Sequence, residues 1–412
     1  TVYLRDANDV AIERGLGMIG ASLDKRVARG KLDKATRDAV LERVRPEMPD
    51  SAMAGVGLVI EVIYEDLEAK VNALSALESQ LPVDAIVATN TSSLSVTALA
   101  GRLKRPERVV GMHFFNPATV LPLVEVVSGH VTEPDVAQTI FATALAWGKT
   151  PVHCRSTPGF IVNRVARPFY GEALRLFQEQ VASPATLDAV MRESGGFRMG
   201  PCELMDLIGH DVNFAVTRSV YQAFFDDPRY KPSLMQKDLV DAGWLGRKSG
   251  RGFFDYRDGA SPVVIDGLAT DRKPSVVRVE GDLGPARPLV DLLATLDDIR
   301  LERTAGDGLL RIDGIVLALT DGRTATERAA ALGEAVVLFD LALDYASCGR
   351  IAIAAAAQAS AADVLKAAGL FGALGKRVSQ LADVPGMLVM RTVAMLVNEG
   401  AEAVYQGIAS AD

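Results

Sequence analysis

Three segments carry polar side chains at points where strands or helices are predicted to end. They are Asn90–Ser93, the run His-Phe-Phe-Asn-Pro at residues 113–117 with Glu125 twelve residues after His113, and Thr157–Arg164. An open α/β sheet binds its ligands at the carboxyl ends of its strands, so these polar groups are expected to meet there. The sequence therefore predicts a ligand site built from the ends of several elements.

An acid follows the first strand-like run. Residues 2–4 are apolar, and Asp6 comes directly after them. At the end of the second strand of a dinucleotide-binding fold, an acid accepts hydrogen bonds from the adenosine ribose hydroxyls and repels the 2′-phosphate of NADP. An Asp after a strand is also a common helix cap, and both interpretations stay open. On the first, the cofactor is NAD, and the glycine turn would precede Thr1, so that the chain resembles a fragment.

A glycine pattern near the start of the chain is interpreted as structural. Gly15, Gly17 and Gly20 satisfy G-x-G-x-x-G. That fingerprint works in the turn between a strand and a helix, where the backbone can approach a pyrophosphate. Here the glycines lie within a helix predicted over residues 8–30, so we interpret them as small residues on one side of a packed helix.

The surrounding elements predict an α/β domain. Apolar runs of strand length cover residues 57–63, 84–90 and 108–115, and helical stretches separate them, one capped by Asp33 and extending to about Arg45 and another over residues 66–81. Strands buried on both faces that alternate with helices indicate a parallel sheet covered by helices. Residues 1–156 are predicted to form a Rossmann-type domain that lacks its first strand and glycine turn.

The pattern changes at Thr157, where Thr is a good N-cap and Pro158 suits the first helical position. Residues 157–257 are predicted to be an all-helical domain that ends in the glycine-rich tail 246–256, followed by a linker. Strands alternate with helices again over residues 270–383, which predicts a degenerate, small α/β domain. Its strand candidates are residues 276–279, 315–319, 335–339 and 351–353.

An internal repeat joins the helical domain to the end of the chain. Residues 157–164 match residues 384–391, which lie 227 positions later, and Glu172 matches Glu399. We therefore interpret residues 384–412 as the start of a second helical-domain copy, in which Met390 occupies the position of Asn163. In the second α/β domain the glycine pattern around Gly281 is broken, and we predict a structural relic that binds no nucleotide.

Composition excludes several classes of protein. The net charge is −8, which favours no nucleic acid partner, and no apolar run approaches the roughly 18 residues of a membrane span. Three widely spaced cysteines argue against a disulfide framework and for a reducing, cytoplasmic compartment. No metal site is predicted, because the histidines outside the motifs lack spaced ligand partners; they are His130, His153 and His210.

Taken together, these segments resemble the 3-hydroxyacyl-CoA dehydrogenase family. The resemblance runs in collinear order from Thr1 to about Tyr256, and the run at 113–117 followed by Leu-Val-Glu-Val is a specific signal. The repeated helical segment is similar to longer bacterial members with a duplicated C-terminal domain. The resemblance implies NAD-dependent oxidation of an (S)-3-hydroxyacyl-CoA, either a short chain such as 3-hydroxybutyryl-CoA or 3-hydroxyadipyl-CoA, in fatty-acid or aromatic (phenylacetate-type) catabolism.

The resemblance also implies roles for individual residues. His113 would be the general base, Glu125 would hold its imidazole, and Ser92 and Asn163 would hydrogen-bond the substrate oxygens. Residues matching cofactor-contacting positions of the family are Asp6, Glu65, Lys70, Ser92 and Lys248, and those matching coenzyme A contacts are Ser22 and Arg29.

Arg29 belongs to a basic run over residues 25–37 that suits a phosphorylated handle, although a solvated helix face is the favoured interpretation of each other cation in the run. Family members commonly form homodimers through the helical domain, and the duplicated segment offers an internal equivalent of that contact. Two alternatives remain open at this point. One is a non-catalytic homologue that binds coenzyme A or NAD, and the other is a different β-hydroxyacid dehydrogenase.

Overall fold

The computed structural model describes residues 1–46 and 50–412, which divide into two units, Thr1–Ser156 and Thr157–Asp412. In the first unit the elements are β1 (Val2–Tyr3), α1 (Asp9–Ala28), α2 (Lys34–Glu42), β2 (Val44–Arg45), α3 (Asp50–Met53), β3 (Leu58–Glu61), α4 (Leu67–Glu78), β4 (Ile86–Thr89), α5 (Val96–Ala100), β5 (Val109–Phe114), β6 (Leu123–Ser128), α6 (Pro134–Ala146) and β7 (Thr150–Arg155).

The five strands β3 to β7 form one sheet in chain order, and β1 pairs with β2 in a separate parallel pair. All neighbours in the larger sheet are parallel except β5 and β6, which are antiparallel. The three strands predicted here are confirmed with shorter bounds, whereas β6 and β7 were not predicted. Apolar side chains of β4, β5, β6 and α6 form the core beneath the sheet.

The glycine pattern lies inside α1, as predicted. The helix begins after Asn8, whose side chain accepts a hydrogen bond from the Ala11 N–H, and it extends to Ala28. A Cβ on Gly15 would lie 3.3 Å from the Leu4 side chain, but Gly17 and Gly20 face open space. The interpretation as small residues on a packed face is therefore wrong for these two glycines.

The second helix ends earlier than predicted. Asp33 caps α2 by accepting a hydrogen bond from the Thr36 N–H at 2.7 Å, as expected. The helix ends at Glu42, because Val44 and Arg45 extend alongside Val2 and Tyr3 as strand β2. The backbone pairing of a β-branched residue with β1 replaces the last predicted helical turn.

The second unit contains helices, three-residue 3₁₀ turns and one large sheet. Its elements are α7 (Val162–Val165), α8 (Arg167–Gln178), α9 (Pro184–Glu193), α10 (Pro201–Ile208), α11 (His210–Ala223), α12 (Leu234–Asp241), β8 (Val276–Glu280), α13 (Arg287–Leu293), β9 (Arg300–Thr304), β10 (Leu309–Ile312), β11 (Ile315–Leu319), α14 (Ala325–Leu332), β12 (Val336–Phe339), β13 (Arg350–Ala355), α15 (Ala361–Ala373), β14 (Arg377–Leu381) and α16 (Val389–Tyr405).

The first helix of this unit begins later than Pro158. Gly159 and Phe160 have positive φ angles of 76° and 49°, so the chain turns before α7 starts at Val162. The repeat has the same turn, because Gly386 and Met387 have φ angles of 73° and 54° before α16. The similarity between the two copies therefore extends to a strained backbone conformation.

The second sheet is larger than predicted for a small α/β domain. It has seven strands in the order β14-β13-β12-β11-β10-β8-β9, and all four predicted strand candidates lie in it. Strands β9, β10 and β14 were not predicted. One core joins this sheet to the helices, since Leu176 and Val190 belong to the same buried apolar cluster as Val336.

A segment without helix or strand covers the edge strand β14. The Leu268 N–H donates to the Val378 carbonyl at 2.9 Å, and the Ser379 hydroxyl donates to the Asp266 carbonyl. Two glycines of α15 allow close approach, since a Cβ on Gly369 would lie 1.8 Å from the Arg272 carbonyl oxygen. The covered edge is protected from pairing with another chain.

Helix α16 packs on α7 and α8, so the two copies of the repeat contact each other. The contact is reciprocal: Arg164 lies 3.5 Å from Glu399, and Arg391 lies 2.7 Å from Glu172. In each pair the arginine of one copy meets the glutamate of the other, which is the pattern of a two-fold interface within one chain. None of the helices in the described part of the chain is long and apolar enough to cross a lipid bilayer.

Candidate active site

His113 and Glu125 face each other across two strands. They are directly opposite in the antiparallel pair of β5 and β6, and the Nδ1 of His113 lies 2.6 Å from a carboxylate oxygen of Glu125. Their exposed fractions are 5% and 0%. A buried carboxylate needs a partner, and here the imidazole is that partner. The bond also fixes the ring orientation and directs Nε2 away from Glu125.

The residue after β4 fixes the end of β5. The amide oxygen of Asn90 accepts a hydrogen bond from the Phe114 N–H at 2.8 Å. The Phe115 ring packs against the imidazole of His113, with ring centroids 4.7 Å apart. These contacts position the histidine at the carboxyl end of β5. Sequence reasoning quoted Asn90 as part of a motif but assigned it no role.

Glu65 organises the loop that carries Ser92. Its carboxylate accepts hydrogen bonds from the Thr91 hydroxyl (2.5 Å), the Ser92 N–H (2.9 Å) and the Ser93 N–H (3.0 Å). Burial raises the pKa of Glu65, but the Thr91 hydrogen bond and the charge of Lys70 lower it, and the net pKa lies below its usual value. The carboxylate is therefore ionised at neutral pH.

Lys70 lies beneath this loop on α4. It is 1% exposed, and its ammonium group lies 2.7 Å from Glu61 and 3.4 Å from Glu65. Glu61, at the end of β3, was missed by sequence reasoning. The available signal was an acid at the end of an otherwise apolar strand, with a lysine nine residues later.

The remaining predicted residues of the first unit are exposed. Asp6 follows β1, and its carboxylate accepts from the N–H of the adjacent Ala7. The helix-cap interpretation of Asp6 is wrong, because Asn8 caps α1. A carboxylate at this strand end can accept hydrogen bonds from the ribose hydroxyls of NAD, so this residue fits that cofactor. Ser22 and Arg29 lie exposed on α1 and at its C-terminal end.

One cation of the basic run, Arg37, is paired with acidic side chains. Arg37 pairs with Asp24 at 3.0 Å and with Asp38 at 2.7 Å. Both acids lie outside the segment counted in the sequence. The hydrogen bonds that the Arg37 guanidinium donates to the Asp38 and Asp24 carboxylates raise its pKa. Arg37 is thus a surface ion-pair residue and a weaker candidate for a phosphate contact.

Two predicted site residues belong to the second unit. Asn163 lies on α7, and its carbonyl accepts a hydrogen bond from the Arg167 guanidinium at 2.7 Å. Lys248 lies in a 3₁₀ turn of the glycine-rich tail and pairs with Asp211 at 2.5 Å. The tail wraps around the buried Asp206, which accepts hydrogen bonds from the N–H groups of residues 253 and 254.

The described residues contain no cluster of three His, Cys, Asp or Glu side chains placed to hold a metal. Burial raises the pKa of Cys154 and of Cys202, so neither thiol forms the reactive thiolate at neutral pH. His210 is buried and lies 2.7 Å from Asp206, which makes it a structural residue.

A Rossmann-type sheet with a buried His–Glu pair at its strand ends, followed by a helical segment, defines a nicotinamide-dependent dehydrogenase. The sequence pattern of the NAD binding domain of 3-hydroxyacyl-CoA dehydrogenase matches residues 1–157, and that of its C-terminal domain matches residues 159–256. The pattern of the reduced Rossmann-fold domain of 3-hydroxybutyryl-CoA dehydrogenase matches residues 317–385. The chain belongs to the 3-hydroxyacyl-CoA dehydrogenase family.

Individual relatives agree. The 3-hydroxyadipyl-CoA dehydrogenase of Escherichia coli K12 is 44% identical over 410 residues, which cover 99% of this chain and 80% of the relative. The 3-hydroxybutyryl-CoA dehydrogenase of Clostridioides difficile is 38% identical over 62% of this chain and 90% of its own length. A crystal structure of 3-hydroxybutyryl-CoA dehydrogenase from Escherichia coli K12 superimposes with a TM-score of 0.86 at 43% identity, covering 98% of this chain and 80% of that one.

These comparisons confirm the predicted family, the fold class and NAD as the cofactor. They also confirm the reaction class, NAD-dependent oxidation of 3-hydroxyacyl-CoA.

Proposed function

We propose that this chain oxidises short (S)-3-hydroxyacyl-CoA or 3-hydroxyadipyl-CoA to the 3-oxoacyl-CoA, with His113 as the base. The observation that carries the assignment is the buried contact of 2.6 Å between His113 and Glu125. Bound NAD supplies the acceptor for the hydride from C3 of the substrate. The protein must then take the proton of the 3-hydroxyl, and the imidazole is the group suited to do so near neutral pH.

The scheme assigns tasks to individual protein groups. Since Glu125 engages Nδ1, proton transfer from the substrate falls to Nε2 of His113. The carboxylate of Glu125 stabilises the imidazolium that forms, because the two charges meet in a buried place. Ser92 and Asn163 would hydrogen-bond the substrate oxygens. The residues proposed to contact the cofactor are Asp6, Glu65, Lys70, Ser92 and Lys248, and those proposed to contact coenzyme A are Ser22 and Arg29.

The test is the oxidation of NADH by acetoacetyl-CoA, followed by nicotinamide absorbance, for the wild type and for His113→Gln. Loss of general-base and general-acid help is expected to lower kcat by about 10²- to 10⁴-fold. His130→Gln is the matched control, because His130 is an exposed histidine of the same unit. It is expected to turn over like the wild type.

Two results would contradict the proposal. If His113→Gln retains wild-type kcat, the base is another residue. If the wild type binds NADH but turns over neither acetoacetyl-CoA nor 3-oxoadipyl-CoA, the chain is a non-catalytic homologue. Comparing kcat/KM for these two substrates also assigns the acyl chain, which sets the choice between fatty-acid and aromatic catabolism.

We further propose a cytoplasmic enzyme without a nucleic acid or membrane partner. Three unpaired cysteines and a net charge of −8 support this proposal. From the family resemblance we propose that the protein forms a homodimer. The reciprocal pairs of Arg164 and Arg391 support the alternative in which the second copy of the repeat supplies an equivalent contact within the chain.

A further inference from the structure

A buried glutamate, Glu61, lies at the centre of a hydrogen-bond network near the loop that carries Ser92. Glu61 ends the apolar strand β3 and is 5% exposed. One carboxylate oxygen accepts hydrogen bonds from the Lys70 ammonium and the Ile63 N–H, both at 2.7 Å, and the other accepts from the Thr89 hydroxyl at 2.6 Å. This carboxylate therefore joins the ends of two neighbouring strands to α4.

The Lys70 ammonium group lies between two acids, Glu61 and Glu65. Its ammonium group contacts Glu61 and the Ile63 carbonyl, at 3.1 Å, and lies 3.4 Å from Glu65. Lys70 is 1% exposed, so bulk water does not solvate its charge. The oxygen atoms of Glu61, Glu65 and Ile63 stabilise the ammonium group instead. Of these two acids, Glu61 lies nearer to the Lys70 ammonium group and is the more deeply buried.

Glu65 then holds the loop. Besides the three bonds described above, it accepts a fourth hydrogen bond from the Ser93 hydroxyl at 3.0 Å. Its side chain is 34% exposed, so it lies at the surface end of the series, whereas Glu61 lies at the buried end. Charges alternate from Glu61 through Lys70 to Glu65, and each is paired with the next.

We infer that Glu61 is a positioning residue of this dehydrogenase, acting through Lys70 and Glu65 on the Ser92 loop. The hydrogen bonds of its carboxylate go to Lys70, Ile63 and Thr89. Its backbone carbonyl accepts the Asn90 N–H at 2.8 Å, and the Thr89 hydroxyl accepts the Thr91 N–H at 3.3 Å. The inference rests on the proposed roles of Glu65 and Ser92 at the cofactor. The position of Lys70 determines where Glu65 lies, and Glu65 in turn fixes the backbone N–H groups of the loop.

The test substitutes the acid by its neutral isostere, Glu61→Gln, and measures the Kd for NADH by fluorescence titration. The loss of a charged hydrogen-bond partner from buried Lys70 is expected to raise this Kd by about 10- to 100-fold. Because the readout is binding, it is independent of turnover. An inactive wild type would overturn the proposed function, whereas an unchanged Kd in an active enzyme would overturn only the role of Glu61.

Glu78→Gln is the matched control. Glu78 is also a buried glutamate of the first unit, 4% exposed at the end of α4, and it accepts hydrogen bonds from the N–H groups of Lys104 and Arg105. Its loss is expected to lower the thermal unfolding midpoint as Glu61→Gln does, without changing the Kd for NADH. If Glu78→Gln weakens NADH binding equally, Glu61 is merely a structural residue and the inference fails.

A double-mutant cycle tests the route. If Glu61 acts through Glu65, adding Glu61→Gln to Glu65→Gln changes the Kd by less than about threefold, since the interaction is already lost. Additive effects would contradict this route. If Glu61→Gln does not fold, Thr89→Val serves as a milder variant. It removes one hydrogen bond to Glu61 and the acceptor of the Thr91 N–H, and we expect it to raise the Kd by about threefold.

Discussion

Two parts of this chain have the same architecture but different chemistry. Strands β4 to β7 of the first unit pair parallel, antiparallel and parallel in chain order, and β11 to β14 of the second unit do the same. The registers of β5 with β6 and of β6 with β7 also recur at a spacing of 227 residues, since Val110 pairs with Ser128 and Val337 pairs with Ala355. The second α/β region is therefore a structural copy of the second half of the first sheet.

The copies differ at the positions of the reaction. By this register Asp340 occupies the place of His113, and Ala352 occupies the place of Glu125. Asp340 accepts hydrogen bonds from the N–H groups of residues 388–390, at the start of α16. A carboxylate at a helix N-terminus is a structural contact. The second copy has thus replaced a proton-transfer pair by a helix cap and a small apolar side chain.

What both copies retain is the contact that starts a helix. In the first, the Ser156 hydroxyl accepts hydrogen bonds from the N–H groups of Val96 and Thr97. In the second, Asp383 accepts them from Ala325 and Thr326. Backbone groups at helix ends must be satisfied in any copy that folds, whereas catalytic side chains are needed only where a substrate binds.

The largest predicted effect makes the first copy like the second, by Glu125→Ala. We expect kcat with acetoacetyl-CoA and NADH to fall by about 10²- to 10⁴-fold, because the imidazole loses the group that orients it and stabilises its cation. The fold should persist, because Ala352 occupies the equivalent sheet position. Circular dichroism of the variant checks the fold, and the nicotinamide absorbance assay checks the rate.

Ser128→Ala is the control for that substitution. It also introduces the residue found in the second copy, Ala355, but on a strand position without a proposed role. Its kcat should equal that of the wild type. If Glu125→Ala remained equally active, the difference between the copies at this position would not be the cause of their different chemistry.

A second prediction concerns the reciprocal contact between the copies. Glu399 is 1% exposed and binds Arg164, Arg229 and the Tyr230 hydroxyl, whereas the Glu179 side chain, which pairs with Arg391, is 42% exposed. Removing one partner of a buried pair leaves an uncompensated charge, so Glu399→Ala should lower the free energy of unfolding by about 3–5 kcal/mol. Urea unfolding measures this value.

Glu179→Ala provides the comparison for the exposed side of the same interface. It should cost about 0.2–1 kcal/mol, because solvent screens the pair. Equal losses in the two variants would show that burial does not set the strength of these contacts, and that the two halves of the interface are energetically equivalent.

The sequence predicted the elements whose signal is local. Apolar runs located β3, β4 and β5, and the side chains of Asn8 and Asp33 confirm two helix starts. Strands β6 and β7 were missed because polar and charged residues interrupt them, as Glu125 does in β6. The buried Glu125 pairs with His113 on β5, a contact that no local pattern shows.

The site residues divide in the same way. His113 and Glu125 were predicted because a family resemblance supplied their pairing. Glu61 was missed because its partners, Lys70 and Thr89, come from separate elements. The contact of Arg164 with Glu399 spans 235 residues and follows only from the packed repeat. Such contacts depend on how distant elements pack in the fold, so the periodicity of the sequence does not predict them.

The smallest predicted effect is the absence of a second NAD site. In the second unit Gly281 has a φ of 73°, and a Cβ there would lie 1.9 Å from the Gly306 carbonyl oxygen. The Gly308 N–H donates to the Glu280 carbonyl at 2.7 Å, so backbone occupies the space that a pyrophosphate needs beside such a glycine. Pro285 also lacks the N–H that a phosphate would accept from. Calorimetric titration should give one NAD equivalent per chain, and Gly281→Ala should change the unfolding midpoint but leave the NAD affinity intact. Two equivalents, or weaker NAD binding in that variant, would show that the second copy has retained the binding function along with the fold.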